Sequence, residues 1–517
     1  MINSTVNENS TTKLTNEIEQ LKQVVAELTA KLAWYEEQHR LSQLKRYGAK
    51  SEQSPDQLSF FDEAENLRNN DVAEPTVETI TYKRKKQVGK RDADLANLPV
   101  EEIHYELTKK ERNCPECDHT LHDMGSDERR EIKIIPAQAI VVKHITHKYA
   151  CRRCQQEGIT TPIVKAAAPI APIPGSLASP SSIAFIMSQK YAEALPLYRQ
   201  EKYLNGLGLA LSRQTMANWM IQSAERHLVR MYDHLKAHLL KQDIIQADET
   251  PLQVLKEDGR EATTKSYMWL YRTGQTKTPI ALYDYRTTRA GKHPKAFLSE
   301  FSGYLQTDGY AGYLAITNVT HIGCFAHARR YFYEIVKTAP TNEHAKVGLA
   351  YCNKLFHVER TIQEKQLSVE DTFAYRQEHS QPILDDFFAW LNMMKPKVLP
   401  KLLLGKAITY CLNQWSRLCA FLCDGRLEIS NNRAERSIKP FVIGRKNWLF
   451  SATPKGATAS SIVYSLVETA KENGLIPFEY LKFLLETIPN LQHDLSLDHL
   501  LPWSSSIPKS CFTPIHS

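Results

Sequence analysis

Residues 428–450 read EISNNRAERSIKPFVIGRKNWLF, and the rest of the chain is interpreted outward from this stretch. One carboxylate, Glu435, stands behind paired amides, Asn431 and Asn432, and ahead of a cationic run. Between Arg426 and Lys446 lie six basic residues (Arg426, Arg433, Arg436, Lys439, Arg445, Lys446) and two acids, Glu428 and Glu435. An acid set inside positive charge suits a site that holds a metal ion and a polyanion together. The same letters also describe a helix start. Asn432-x-x-Glu435 is a variant of the capping box, in which Glu435 only ties down backbone amides. The choice depends on whether carboxylates upstream are placed to join Glu435.

Upstream, residues 239–335 alternate between strand and helix patterns. LLKQDIIQAD predicts a strand ending at Asp248; SYMWLYRT (266–273) and TPIALYDYR (278–286) are aromatic and branched, hence strands. KAFLSEF (295–301) is helical, GYLQTD (303–308) is a strand ending at Asp308, NVTHIGCF (318–325) is another strand, and AHARRYFYEIVK (326–337) is a helix. The order β, β, β, α, β, β, α, with acids at the ends of the first and fourth strands and a third on a later helix, resembles the ribonuclease H-like fold of DDE transposases and retroviral integrases. In that fold the first and fourth strands are neighbours, so Asp248 and Asp308 would face each other. The 126 residues between Asp308 and Glu435 are mostly helical and look like an insertion.

Three carboxylates suffice for phosphodiester chemistry. Two Mg²⁺ ions ~3.5–4 Å apart activate a water or 3′-hydroxyl and stabilise the leaving oxygen. Mg²⁺ takes hard oxygen ligands and keeps positions open for phosphate and water. No Ser/His/Asp set competes with this reading. Each acid also has a plain structural role open to it: Asp248 as a cap at a strand end, Asp308-Gly309 as a turn dipeptide. Glu249, Asp258, Asp284 and Glu428 are nearby acids set aside; Glu249 points to the opposite face if the strand continues through it.

The chain of 517 residues is long enough for several domains. It is 42% hydrophobic and 24% charged, with a formal net charge of +7, which weakly favours anionic partners. No secretory leader and no apolar run of membrane-spanning length stand out. Ten cysteines under those conditions point to a reducing, cytoplasmic compartment. Leu14, Leu21, Leu28 and Tyr35, interleaved with Ile18, Val25 and Leu32, form a heptad stripe that requires a partner: a second copy in a coiled coil, or an intramolecular hairpin. A polar linker follows, with KRKKQVGKR at 83–91; Lys83, Arg84, Lys85 and Lys86 lead a run that is either a solvated segment or a contact to DNA phosphates. Cys114-Pro-Glu-Cys117 and Cys151-Arg-Arg-Cys154 are two chelating turns for one structural Zn²⁺, and the long gap implies a β hairpin within 131–150. His119, His144 and His147 are substitute ligands, and a redox pair is the alternative. Helices over 180–190, 195–204 and 212–227, with a Gly206–Gly208 break, a Ser212 cap and outward Arg213, Gln214 and Asn218, resemble a helix-turn-helix as much as ordinary helix packing.

The expected architecture is multidomain α/β. It comprises a coiled coil (1–47), a polar and basic linker (48–98), a zinc-binding domain (99–165), a linker (166–178) and a helix-turn-helix region (179–235). A ribonuclease H-like mixed-sheet catalytic domain follows (236–460, helical insertion about 338–420), then a helical C-terminal region (461–517).

Longer strings now carry a closer resemblance: RYGAKSEQ (46–53), the four-cysteine pattern, KYAEALPLYRQE (190–201), LSRQTMANW (211–219), ADETPLQVL (247–255), TDGYAGY (307–313), GCFAHARRYF (323–332), NNRAERSIKPFVIGRKNWLFS (431–451) and LLPW (500–503). The chain resembles the large transposase subunit of the bacterial IS66 family over nearly its whole length. The resemblance implies Asp248, Asp308 and Glu435 as a catalytic triad holding Mg²⁺ or Mn²⁺. It implies Cys324 and His327 as supports of the site rather than metal ligands. Double-stranded DNA, at element ends and target, would be gripped by Arg213, Arg433, Arg436, Lys439, Arg445, Lys446 and the 83–86 run. Small accessory proteins are implied as partners, and no membrane. Ser430 departs from the pattern, where an acid is expected, but still suits a helix cap. A DNA-binding repressor without catalysis and a host structure-specific nuclease are the other two readings.

Overall fold

The computed structural model describes residues 138–150, 163–492 and 495–514. The heptad at 14–35, the basic residues Lys83, Arg84, Lys85 and Lys86, and Cys114, Cys117, Cys151 and Cys154 lie outside the described residues. The chain divides after Asp94, and every described residue falls in the second part.

Two short strands, β1 (Lys148–Ala150) and β2 (Ile163–Lys165), pair antiparallel with Tyr149 opposite Val164. The hairpin expected within 131–150 is not seen among the described residues of that stretch: 138–147 carry no strand, and β1 pairs forward to β2 instead. Helices α1 (Pro180–Tyr191), α2 (Leu197–Gly206) and α3 (Arg213–Ser223) follow. Ser212 caps α3 as expected, its Oγ accepting the Thr215 amide at 3.2 Å. A π-helical turn (Ala224–Leu228) joins α3 to α4 (Val229–Leu239), so helix continues across the 235/236 boundary drawn from sequence.

The central sheet has five strands: β3 (Ile244–Gln253), β4 (Lys265–Thr273), β5 (Ala281–Arg286), β6 (Gly303–Gln306) and β7 (Val319–Ile322), in the spatial order β5-β4-β3-β6-β7. β5 and β4 are antiparallel to their neighbours; β6 and β7 run parallel to β3. The first and fourth strands of the sheet are therefore adjacent. β3 pairs with β6 only over Ile244–Gln246 but with β4 as far as Gln253. Its first half is accordingly buried on both sides, while its last residues alternate buried and exposed. Pro251 fits there because no parallel neighbour extends that far to ask for its missing N–H. Strand β5 is an edge, and α11 (Pro454–Glu472) covers it. Ser465 Oγ accepts from the Tyr283 amide at 2.7 Å, and Thr469 Oγ1 accepts from the Ala281 amide and donates to its carbonyl, both at 3.1 Å. These hydroxyls occupy backbone groups that would otherwise template a foreign strand.

The short helix α5 (Lys292–Phe297) precedes β6, and α6 (Phe325–Thr338) follows β7. Then come the inserted helices α7 (Glu343–Glu364), α8 (Val369–Met394) and α9 (Leu403–Cys419), and after them α10 (Asn432–Trp448), α11 and α12 (Pro477–Thr487). The insertion shares a core with the sheet: Ile244 and Ile322 join Phe325, Phe332, Phe387 and Trp390 in one apolar cluster. A Cβ at Gly348 of α7 would run into the Phe332 ring, so α6 and α7 pack at glycine distance.

Truncating this shared core should be costly and local to it. Phe387→Ala is expected to lose about 3–5 kcal/mol, read as a shifted urea midpoint. Phe388→Ala, at a side chain 41% exposed, should lose less than half as much.

Candidate active site

Asp248 lies in the middle of β3 and not at its end, because pairing with β4 carries the strand on to Gln253. It is buried, and its Oδ1 accepts the Glu249 amide at 2.8 Å. Asp308 sits two residues beyond β6, in a turn where its Oδ1 accepts the Tyr310 amide at 2.9 Å and Gly309 adopts φ 93°. The turn reading of Asp308-Gly309 therefore holds, and it does not remove Asp308 from the cluster. The parallel register explains why. Gln246 is opposite Gln306, so Asp248 and Asp308 are each two residues past a paired position on adjacent strands. The side chains of that pair share a face, with Gln246 Nε2 donating to Gln306 Oε1 at 2.8 Å.

Glu435 arrives from α10. The helix begins at Asn432 with Asn431 as N-cap residue, and no side chain makes a capping bond there. Glu435 is thus the fourth helical residue. The capping-box reading fails, and Ser430 is not the cap. Asn431, fully buried, does something else: its Nδ2 donates to the Ala247 carbonyl at 2.9 Å, and its backbone N–H donates to Cys324 Sγ at 3.2 Å. The start of α10 is thereby pinned to the residue before Asp248. A second link runs beside it. Glu428 Oε2 accepts from Gln246 Nε2 at 2.7 Å, and the Glu428 carbonyl accepts from Gln306 Nε2 at 2.6 Å.

Buried Glu435 accepts from Arg330 Nη2 at 3.3 Å through Oε2, and its Oε1 lies 3.5 Å from His327 Nδ1. Cys324, His327 and Glu435 bring ligand-type atoms within 4.8 Å of one another. The thiol makes a poor ligand there. Burial, and then the charge of Glu435, push Cys324 up to about 12, while the Asn431 amide already occupies its sulfur.

Burial, followed by the charges of Glu249, Asp308 and Glu435, raises Asp248 well above the ordinary carboxylate range. Glu249, set aside in the sequence reading, belongs to the cluster electrostatically. Burial, then Asp308, lifts it to about 7 despite hydrogen bonds from Tyr313 Oη (2.7 Å) and Arg289 Nε (2.8 Å). The doubled acid in Asp248-Glu249 was the only sequence signal for it. Arg289 and Arg330 had none, because both act through contacts distant in sequence. Asp284, by contrast, lies two strands away and is paired with Arg286 at 2.7 Å. Buried carboxylates such as Asp248 and Glu249, raised by the charges of neighbouring acids, suit a divalent cation with hard oxygen preference, which relieves that repulsion.

The cationic run is unevenly placed. Arg433 is engaged by Glu428 at 2.8 Å, and Arg445 Nη1 donates to Thr250 Oγ1 at 3.2 Å. Arg436 and Lys446 are exposed, and Lys439 is half-buried. On α3, Arg213, Gln214 and Asn218 are exposed as expected.

Residues 175–459 match the family described as Transposase IS66 family. Residues 111–155, which include all four cysteines of the two chelating turns, match the zinc-finger binding domain of transposase IS66; 465–503 match the IS66 C-terminal element. Residues 34–103 match a domain described as Transposase C of IS166 homeodomain, which covers the whole of the stretch (48–98) expected to be a linker. Uncharacterized protein y4jD of Sinorhizobium fredii is 30% identical over 521 residues, covering 95% of this chain and 97% of its own. Uncharacterized protein y4hP of the same organism is 29% identical over 407 residues, 74% of this chain and 71% of its own. Among the described residues, no helix is long and apolar enough to cross a membrane.

The acid cluster predicts a pH dependence in metal-free protein. Glu249 titrates near 7 when folded against an ordinary 4.5, so between those values the folded chain holds the extra proton. Stability should therefore fall as pH rises through that window, by on the order of 3 kcal/mol. Asp248→Asn should raise the melting temperature of the metal-free protein at pH 8, as scanning calorimetry would show, because the amide has no ionised form for burial and the neighbouring acids to disfavour.

Proposed function

This chain belongs to the IS66 transposase family, and on that footing we propose that it is a DDE transposase that cuts DNA at the ends of an insertion sequence and joins them to a target. The strand order β5-β4-β3-β6-β7, antiparallel on one side of β3 and parallel on the other, supports a ribonuclease H-like catalytic core. The observation that carries the reading is the convergence of three acids from β3, the end of β6 and α10, with the charges of Asp308 and Glu435 both acting on Asp248.

In this reading Asp248, Asp308 and Glu435 hold Mg²⁺ or Mn²⁺. Bound there, the divalent ions supply Lewis acidity for the attacking and leaving oxygens of a phosphodiester. The protein does the rest. Asn431 and the Gln246–Gln306–Glu428 contacts hold the start of α10 on β3, and Arg330 and His327 orient Glu435. Arg289 and Tyr313 hold Glu249 away from the ligand set. Arg436, Lys439 and Lys446 on α10 meet DNA phosphates beside the acids, and Arg213 meets them on α3. Arg433 and Arg445 contribute through the Glu428 and Thr250 contacts that shape this surface. Cys114, Cys117, Cys151 and Cys154 hold the structural Zn²⁺ of the zinc-finger segment. The heptad at 14–35 pairs two copies so that two element ends are held together. Small accessory proteins complete the machinery, which works in the bacterial cytoplasm.

The test is cleavage of a supercoiled plasmid carrying the gene with its flanking DNA. Mg²⁺-dependent nicking by the purified chain is expected, falling to background in Asp248→Asn with DNA binding retained. Binding without metal-dependent nicking in the unmodified chain would favour a repressor that has lost catalysis. Asn431→Ala, which frees the start of α10, should reduce nicking by roughly 10–100-fold, as the loss of a contact supporting metal ligands does.

A further inference from the structure

On the far side of α4, two histidines and an aspartate meet in a way that the catalytic reading does not use. His234 and His238 are four residues apart and so lie on one face of that helix. Asp498 reaches them from a 3-10 turn, Asp498–Leu500, in the C-terminal stretch. Its Oδ1 lies 2.9 Å from His234 Nε2 and 3.4 Å from His238 Nε2. All three atoms fall within 4.8 Å of one another. A carboxylate oxygen has two lone pairs and can take hydrogen bonds from both rings. The same three atoms are also placed as a ligand triangle.

We propose that His234, His238 and Asp498 form a second zinc-class metal site, which staples the C-terminal element to α4. The distances favour this chemistry. With Zn–N and Zn–O bonds near 2.0–2.1 Å, the ligand atoms of a tetrahedral ion stand about 3.3 Å apart, close to both observed separations. Histidines at i and i+4 on one helix face are a recurrent chelating pair for this ion. The surroundings orient the ligands. Ser496 Oγ donates to Asp498 Oδ2 at 2.8 Å, which leaves Oδ1 turned to the imidazoles, and the Trp503 ring packs edge-on to His238 at 5.9 Å between centroids. The side chains are 23%, 30% and 65% exposed, so an ion has a path in and water completes the shell. Imidazole and carboxylate without thiolate suit Zn²⁺, Co²⁺ or Ni²⁺ better than Mg²⁺. The helix thus stapled also anchors the sheet, because Tyr232 Oη donates to the Tyr283 carbonyl of β5 at 2.9 Å.

The chain carries four cysteines that bind zinc in the proposed function, so the experiment must separate the two sites. Zinc per chain is measured by atomic emission after equilibration with micromolar Zn²⁺ and desalting, in the unmodified chain, in a His234→Ala/His238→Ala double variant and in Asp498→Asn. The expected result is about one zinc ion fewer per chain in the double variant, together with loss of a zinc-dependent rise in melting temperature. Co²⁺ loading gives an independent readout. The double variant should lose the part of the visible cobalt absorption that comes from an ion on nitrogen and oxygen ligands, without losing any thiolate-to-cobalt charge-transfer intensity. Equal zinc content and identical cobalt spectra in the three proteins would overturn the proposal and leave a hydrogen-bonded His–Asp pair. Because all three side chains reach the surface, the variants should fold; unchanged circular dichroism of each checks this.

Discussion

One buried amide holds the site together. Asn431 donates its side-chain N–H to the Ala247 carbonyl and its backbone N–H to Cys324, and so joins β3, the start of α6 and the start of α10 at a single point. Ala247 precedes Asp248, Cys324 lies one turn before His327, and Asn431 lies one turn before Glu435. One partner of Asn431 is thus the backbone neighbour of Asp248, and the other opens the helix that carries His327 and Arg330 to Glu435. Removing the amide would leave the Ala247 carbonyl buried and unpaired, at a cost of about 1–3 kcal/mol, and would free α10 to drift. The 126 residues between Asp308 and Glu435 make such a tether necessary, because nothing local returns Glu435 to the sheet.

The tether works against charge. Asp248 and Glu249 are held where burial disfavours their ionised forms, and the charges of Asp308 on both and of Glu435 on Asp248 add to that cost. Packing elsewhere sustains this. The insertion helices share an apolar core with β3 and β7, and α11 covers the β5 edge through Ser465 and Thr469. Arg289 and Tyr313 restrain Glu249, and Arg330 restrains Glu435, without neutralising Asp248. Local destabilisation held in place by a rigid scaffold is what a metal-dependent centre requires when the cation is to supply the missing favourable term.

The sheet was legible in the sequence because its strands are short aromatic and branched runs separated by turn residues, and their order followed from counting them. Strand ends were less legible. β3 passes through Asp248 because β4 continues to pair with it, a tertiary fact that alternation within one strand does not contain. Among the described residues 138–150, no hairpin forms for the same reason: β1 finds its partner downstream, in Ile163–Lys165. At the acids, positions were legible and surroundings were not. Asn432-x-x-Glu435 has the letters of a capping box, but the helix begins one residue earlier than a cap at Asn432 would need. Glu249 was dismissed on strand alternation, which is right about its direction and silent about the field it exerts. Asn431 was visible only as half of an amide pair; its partner, Ala247, offers a carbonyl, which no side-chain pattern records.

The account stands on Asp248, Asp308 and Glu435 sharing cations. Crystals of the 517-residue chain soaked in Mn²⁺ and measured at the manganese absorption edge test that directly. The account predicts anomalous density bounded by these three carboxylates, lost on Asp248→Asn. Density elsewhere only, with the three carboxylates turned apart, would contradict it.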